Sequence, residues 1–387
     1  MPLDPIPSRA AGRDPSIDLL RGASILLVVL HHLGLRMPLK KSALACCVPA
    51  RLLGALNFNG YEAVFVFFVI SGFLIATNVL ARRGRLARIE PRAFYARRAA
   101  RILPCLVLLV GVLALLHEAG FADYAIRRLG QSLPRAALAA FGLHLNVYEA
   151  ATGYLPGSWD VLWSLSIEEA FYLGFPLVCL GVRDERVLAA LLGVLVASLP
   201  FSLAAITDDE IWKEKAYLPG IAAIAAGVLA ALVAARVRAP GGRVVVALGA
   251  VGAGGLAAVM LAMPWLWPLL HDTVMLLLVA SAACLVVAMH WRHAAGATRA
   301  VRGFGGLRSM GRLSYEIYLT HMFVVFAAVD LFDASGTDAR YGFVVYVPAV
   351  ASAWLLGALV ARFVSVPAER VLRGAFARRR TAVAAPA

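Results

Sequence analysis

Residues 19–35 read LLRGASILLVVLHHLGL. At ~1.5 Å of rise per residue the stretch is long enough to cross a hydrocarbon core of roughly 30 Å. Yet Arg21 stands near its start, and His31 and His32 near its far end. Ionisable groups at membrane depth are costly and by default mark function. This one stretch therefore bears on both the class of the chain and the place to look for its chemistry.

Composition agrees with a membrane reading. Of 387 residues, 61% are hydrophobic and 16% charged, and the mean hydropathy is +0.79, beyond what a soluble core of this size needs. Similar apolar runs recur near residues 17–37, 60–81, 99–117, 160–181, 186–206, 217–236, 244–264, 272–290, 308–333 and 342–364. Lipid offers no partner to an open strand edge, so the expected fold is an all-α integral membrane bundle of ten transmembrane helices. An eleventh is conceivable at 133–150, a short segment carrying Arg135, His144 and Glu149. The net charge of +14 sits in short arginine-rich segments between apolar runs, which argues for membrane topology and against a nucleic-acid partner. Five scattered cysteines make neither a metal spacing nor a disulfide framework, and the adjacent Cys46 and Cys47 read as incidental thiols. Arg21 interrupts what would be a signal peptide's apolar core and no A-x-A-like site follows, so the first span is expected to be retained.

Arginine bookkeeping orients the bundle. The connection 82–101 holds eight arginines against one glutamate and is expected in the cytoplasm. If 133–150 does not cross, the basic connections 236–243 and 290–308 fall on the same side, with both termini cytoplasmic; if it crosses, two basic connections are misplaced. The expectation is ten spans, with 133–150 re-entrant or interfacial. The first external loop, with Arg36, Lys40, Lys41 and Arg51, is the exception to the rule. The domain reading is a cytoplasmic tail over 1–16, one transmembrane domain over 17–370, and a basic tail over 371–387, both tails expected to be mobile.

Depth along each helix then groups the polar side chains. Arg21 lies at the cytoplasmic mouth, and His32, eleven residues on, ~16 Å deeper. Ser71 reaches a similar depth from outside. Arg98 and Arg101, three apart, share a helix face. Glu168 enters from outside with Ser164 one turn earlier, and Glu316 and His321 ride in on the ninth span. A cationic layer facing the cytosol below a His/Glu/Ser layer suits an anionic donor whose reactive end must reach an acceptor on the other side.

Five pieces in order, R-x10-H (Arg21 to His32), FFVISGFLI (67–75), FYARRAARILP with R-x-x-R (94–104), LWSLSIEEAFYL (162–173) and GRLSYEIYLTH (311–321), make the chain resemble the acyltransferase-3 family over about residues 16–370. Members are multi-spanning bacterial enzymes that O-acylate polysaccharides, lipid-linked sugars and macrolides. Two departures stand out: Phe65 where the family often has an acidic residue, and Ala170 after the Glu pair. The esterase-like domain that some members append is also not found here, so transfer is expected to finish in the bundle or on a partner.

The resemblance implies a bacterial inner-membrane O-acyltransferase using acyl-CoA, acetyl-CoA above all, with no metal, and a carbohydrate, glycolipid or macrolide acceptor; homo-oligomerisation is left open. It makes His32 the general base, since His31 points about 100° away. Arg21, Arg98 and Arg101 would hold the phosphates of coenzyme A, for which guanidinium forks are suited. Glu168 would orient His32 or the acceptor hydroxyl, with Glu169 structural. Ser71, Ser164, Trp163, Glu316 and His321 are carried forward as substrate contacts, Trp163 as a sugar-stacking ring otherwise at home in the interfacial aromatic belt. The competing class is a transporter or flippase with a buried His/Glu proton relay.

Overall fold

The computed structural model describes residues 13–206, 208–298 and 302–384. In chain order its helices are α1 (Pro15–Arg36), α2 (Ala50–Phe58), α3 (Gly60–Arg83), α4 (Pro91–Glu118), α5 (Leu133–Phe141), α6 (Leu145–Thr152), α7 (Gly157–Asp160), α8 (Leu162–Gly181), α9 (Glu185–Ala197), α10 (Leu199–Ala204), α11 (Glu210–Lys215), α12 (Tyr217–Arg236), α13 (Gly242–Leu270), α14 (Thr273–Ala294), α15 (Gly305–Arg312), α16 (Ser314–Ala334), α17 (Tyr346–Val360) and α18 (Val366–Ala384). Among the described residues no strand occurs, and ten helical runs are long and apolar enough to cross a membrane. These are α1, α3, α4, α7–α8, α9–α10, α11–α12, α13, α14, α16 and a final run from Ala339 to Phe376.

The segment 133–150 is two short helices broken at Gly142 and Leu143, whose φ of 60° is left-handed, so neither half is long enough to span. Two of its polar residues, Asn146 and Glu149, anchor it. Glu149 and Lys215 are fully buried and paired at 2.9 Å, and the Lys215 ammonium also contacts Asp160. The Glu149 carboxylate further accepts from the Leu155 amide at 3.0 Å, and the Asn146 amide donates to the Lys215 carbonyl at 2.6 Å. One buried lysine thus ties α6 and α7 to α11, and its two carboxylates offset the cost of desolvating it.

Several boundaries differ from the hydropathy reading. Span three starts at Pro91, a residue pre-set for the first helical turn, so Arg98 lies two turns inside the helix. The ninth span starts at Ser314, and residues before it form the separate α15. The expected mobile tails are partly helix: α1 begins at Pro15 and α18 runs to Ala384, while residues 1–12 and 385–387 lie outside the described residues.

Helices at the centre approach each other through glycine. A Cβ on Gly72 of α3 would stand 2.0 Å from the Ile224 carbonyl oxygen of α12, and one on Gly227 of α12 2.0 Å from that of Val69. Small residues permit this backbone contact where no hydrophobic effect drives helices together. Gly22, beside Arg21, is likewise pressed on the Leu307 carbonyl of α15. On α13, Pro264 cannot donate to the Met260 carbonyl, and the helix is non-helical at Ala262; the orphaned carbonyl instead accepts from Asn59 Nδ2 at 2.8 Å.

The basic first loop has a physical explanation on the face opposite the α1 N-terminus. The Arg36 guanidinium lies 4.5 Å from the Phe326 ring centre, the Lys40 ammonium 5.6 Å from Phe58 and the Arg51 guanidinium 3.7 Å from Trp265. Cation–π contacts hold these charges in place.

Candidate active site

A cavity of about 550 Å³ runs into the bundle between α1, α3, α4, α8 and α16, a size typical of small-molecule sites. Arg21, Arg98 and Arg101 line it together, with Ser71, Ser164 and Glu168. Four more arginines, Arg82, Arg83, Arg97 and Arg373, surround its mouth. Seven guanidiniums therefore face two carboxylates, Glu90 and Glu168. Such an excess, focused by low-dielectric walls, attracts an anion. Arg21 and Arg373, one from the first span and one from α18, share this wall with arginines of the 82–98 connection.

The arginines are held in different ways. Arg21 donates through Nε and Nη2 to Ser314 Oγ at 3.2 and 2.7 Å, leaving further N–H groups available. Arg98 pairs with Glu169 at 2.5 Å and lies 3.8 Å from the Tyr172 ring centre. Glu169 thus seats Arg98, a contact that the expectation of a purely structural Glu169 did not include. At the mouth Arg83 contacts Glu90 and Arg373 contacts Glu369.

The inner walls carry hydroxyl pairs. Ser71 and Tyr172 meet at 2.6 Å, and Ser164 donates to the Tyr318 hydroxyl at 2.7 Å. Ser164, Glu168 and Tyr172 recur every four residues, and Ser314, Tyr318 and His321 follow the i, i+4, i+7 pattern, so each set forms one stripe on its helix. That periodicity marks Tyr172 and Tyr318 in the sequence, and both went unassigned there. No comparable signal separates Arg82, Arg83, Arg97 and Arg373 from ordinary topology-setting arginines.

The two predicted histidines are not in the cavity wall, so this cavity does not by itself join the three arginines to His32. The His32 and His321 rings are 5.0 Å apart, and the His321 ring is 5.9 Å from that of Tyr318, which does line the cavity. Tyr318 therefore stands as a partition with the arginine-lined chamber on one side and the imidazole pair on the other. His31 is occupied elsewhere: its Nδ1 is 2.9 Å from the Asn57 carbonyl and its ring packs on Gly60.

Two sequence assignments are corrected, and a third residue, Glu316, has no contact with this cavity. Glu168 faces the cavity with Arg21, and the rings packed on His32 are those of His31 and His321, so no Glu168–His32 dyad forms; depth along a helix had fixed height but not azimuth. Glu316 is not in the cavity wall, because two residues from Ser314 turn it about 200° away from the Ser314 stripe. Trp163 is 6% exposed, stacked on Tyr61 and edge-on to Phe68, which leaves no face for a sugar.

Comparison with known proteins fits this arrangement. The chain is 26% identical over 221 residues to the peptidoglycan O-acetyltransferase OatA of Listeria monocytogenes, covering 53% of this chain and 29% of that protein. It is 28% identical over 175 residues to the O-acetyltransferase OatA of Staphylococcus aureus, covering 42% of this chain and 24% of that protein. The matched region thus spans less than a third of the length of either relative. No solved structure matches. The profile of the acyltransferase-3 family, described as an acyltransferase domain, matches residues 14–362, and the chain belongs to that family.

Proposed function

We propose that the protein is an inner-membrane O-acetyltransferase that moves an acetyl group from cytosolic acetyl-CoA, lodged in the arginine-lined cavity, to a hydroxyl of a cell-envelope glycan approaching from the opposite face. The observation that carries this reading is the partition: a cationic chamber open on the arginine-rich side ends at Ser164 and Tyr318, and the His321 and His32 rings follow directly behind. The positive-inside rule puts the arginine-rich side in the cytosol. The named activity of the relatives supports the acetyl group and the glycan hydroxyl.

In this reading Arg82, Arg83, Arg97 and Arg373 collect the donor's phosphates at the mouth, and Arg98 and Arg21 hold them deeper. Glu168 is the carboxylate inside the chamber; it repels phosphate, so the charged end stays near the mouth and the uncharged arm with its thioester extends towards Tyr318. His32 takes the acceptor hydroxyl proton as that oxygen attacks the thioester carbon. A C–O bond forms, the C–S bond breaks, and the departing thiolate recovers the proton from the imidazolium. The Tyr318 hydroxyl, which accepts from Ser164 and so keeps its own proton free, is placed to donate to the oxyanion that develops between these steps.

The test is incubation of the purified protein with acetyl-CoA and solubilised peptidoglycan, following release of the free CoA thiol and ester formation on the glycan. Transfer by the wild type and its loss in His32→Ala, with CoA still bound, is the expected result. Absence of CoA binding to the wild type, or full transfer by His32→Ala, overturns the reading.

A further inference from the structure

The imidazole of His321 is fixed in one tautomer by the main chain, and this has a consequence for its neighbour. His321 is fully buried, and its Nδ1 lies 2.7 Å from the Tyr318 carbonyl oxygen and 3.2 Å from that of Ile317. Carbonyl oxygens only accept, so Nδ1 carries the proton, and in the neutral ring Nε2 is left as a bare lone pair. That Nε2 is buried and has no hydrogen-bond partner among the described residues. An unmet acceptor in a buried site is costly, so an N–H donor is the missing complement.

The ring that can supply one is His32, 5.0 Å away between centres and tilted by 46°. His31 is turned to Asn57, and the Tyr318 ring is 5.9 Å off with its hydroxyl directed to Ser164 and not in contact with Nε2. Rotation of the His32 ring is the movement that the hydrogen bond proposed here requires. We propose that His321 is the positioning residue of the base: its Nε2 accepts an N–H from His32 and so leaves the other His32 nitrogen bare for the acceptor hydroxyl. When that hydroxyl proton arrives, His32 becomes an imidazolium whose first N–H is already held by His321, and the charge is shared across the pair. His321 touches neither substrate; it acts through His32, and its anchor is the backbone of the residue that forms the partition. The inference rests on the reading of His32 as base.

The experiment compares His321→Phe, which keeps ring volume without an acceptor, with His321→Gln, whose amide oxygen falls near the place of Nε2. The assay uses the full-length protein, acetyl-CoA and solubilised peptidoglycan, with acetyl-CoA binding and thermal midpoint measured for each variant. The expected result is a hundredfold or greater loss of kcat in His321→Phe at unchanged KM for acetyl-CoA, with His321→Gln recovering at least tenfold. Equal rates for the two variants, or a His321→Phe enzyme as fast as the wild type, overturn the inference. If His321→Phe does not fold, His321→Asn replaces it: its shorter amide cannot reach the Nε2 position, and parity between Asn and Gln overturns the inference. His32→Ala separates the two claims, since full transfer by that variant defeats the base assignment, whereas its inactivity beside an unimpaired His321→Phe defeats only the role given to His321.

Discussion

Arg98 is clamped between the Glu169 carboxylate at 2.5 Å and the face of Tyr172 at 3.8 Å, inside a cavity whose other arginines have less to hold them. The ion pair is part-buried, with side-chain exposures of 19% and 14%, so its loss leaves a guanidinium short of a counter-charge. Glu169→Gln is expected to lower the thermal midpoint in detergent, corresponding to about 2 kcal/mol for a lost charged hydrogen bond. A bound phosphate can replace the missing carboxylate, so saturating CoA should raise the midpoint further in Glu169→Gln than in the wild type. Equal ligand-induced shifts in thermal-melt assays would show that Arg98 does not meet the donor.

Arg21 is expected to matter for donor binding beyond its charge. Its Nε and Nη2 are spent on Ser314, and the remaining N–H groups project into the cavity in a fixed orientation. Arg21→Ala should raise the KM for acetyl-CoA roughly tenfold to a hundredfold, the scale of one charge-assisted hydrogen bond. Arg21→Lys should recover little, because an ammonium cannot hold Ser314 and a phosphate in the same fork geometry. Steady-state kinetics on the two variants decides it.

The mouth arginines should act collectively. Arg82, Arg83 and Arg373 are exposed, and solvent-exposed charges are each worth about 0–1 kcal/mol. Replacing Arg82 and Arg373 together by Gln is expected to weaken CoA binding about tenfold at low ionic strength and hardly at all at high salt, where the Debye length shrinks to roughly 3 Å at 1 M. Binding isotherms over a salt series test this, and a salt-independent loss would place these residues in direct contact instead.

Hydropathy made ten spans readable, because bilayer thickness acts on stretches of residues rather than on single contacts. That 133–150 does not span was expected from arginine placement, but the cause of its break, Leu143 at φ 60°, is a single backbone angle. Within the site, depth followed from residue counts, which is why Arg21, Arg98, Arg101, Ser71, Ser164 and Glu168 do share one cavity. Azimuth between different helices does not follow from counts. That is why Glu168 looked like a partner for His32, and why the partition formed by Tyr318 was invisible. Arg373 lay hidden for another reason, as one arginine in a stretch that composition alone marks as a tail.

The glycine contacts between α3 and α12 predict a structural rather than catalytic phenotype. A methyl at Gly72 would overlap the Ile224 carbonyl, and backbone atoms cannot swing aside as a side chain can. Gly72→Ala is expected to disperse the size-exclusion profile or strongly lower the thermal midpoint, through overpacking costs of about 1–3 kcal/mol or more. Gly254→Ala on α13, where a Cβ meets nothing, should behave like the wild type. Equal behaviour of the two variants would mean that the central helices are not packed this closely.

The partition itself makes the last prediction. Tyr318 presents its hydroxyl to Ser164 and its ring to His321, so it touches both compartments. Tyr318→Phe keeps the barrier but removes the phenol that accepts from Ser164 and faces the site of the developing oxyanion; loss of one such donor costs about 10²–10³ in kcat, with the acetyl-CoA KM unchanged. Tyr318→Ala removes the barrier as well. The thioester then lies open to water that the phenol ring otherwise keeps out, and the enzyme should hydrolyse acetyl-CoA without any acceptor. The two variants therefore part company in one measurement, release of free CoA in the absence of glycan: negligible for the wild type and Tyr318→Phe, and raised for Tyr318→Ala. A Tyr318→Ala enzyme that stays silent without acceptor would show that the histidine compartment is sealed by something other than this ring.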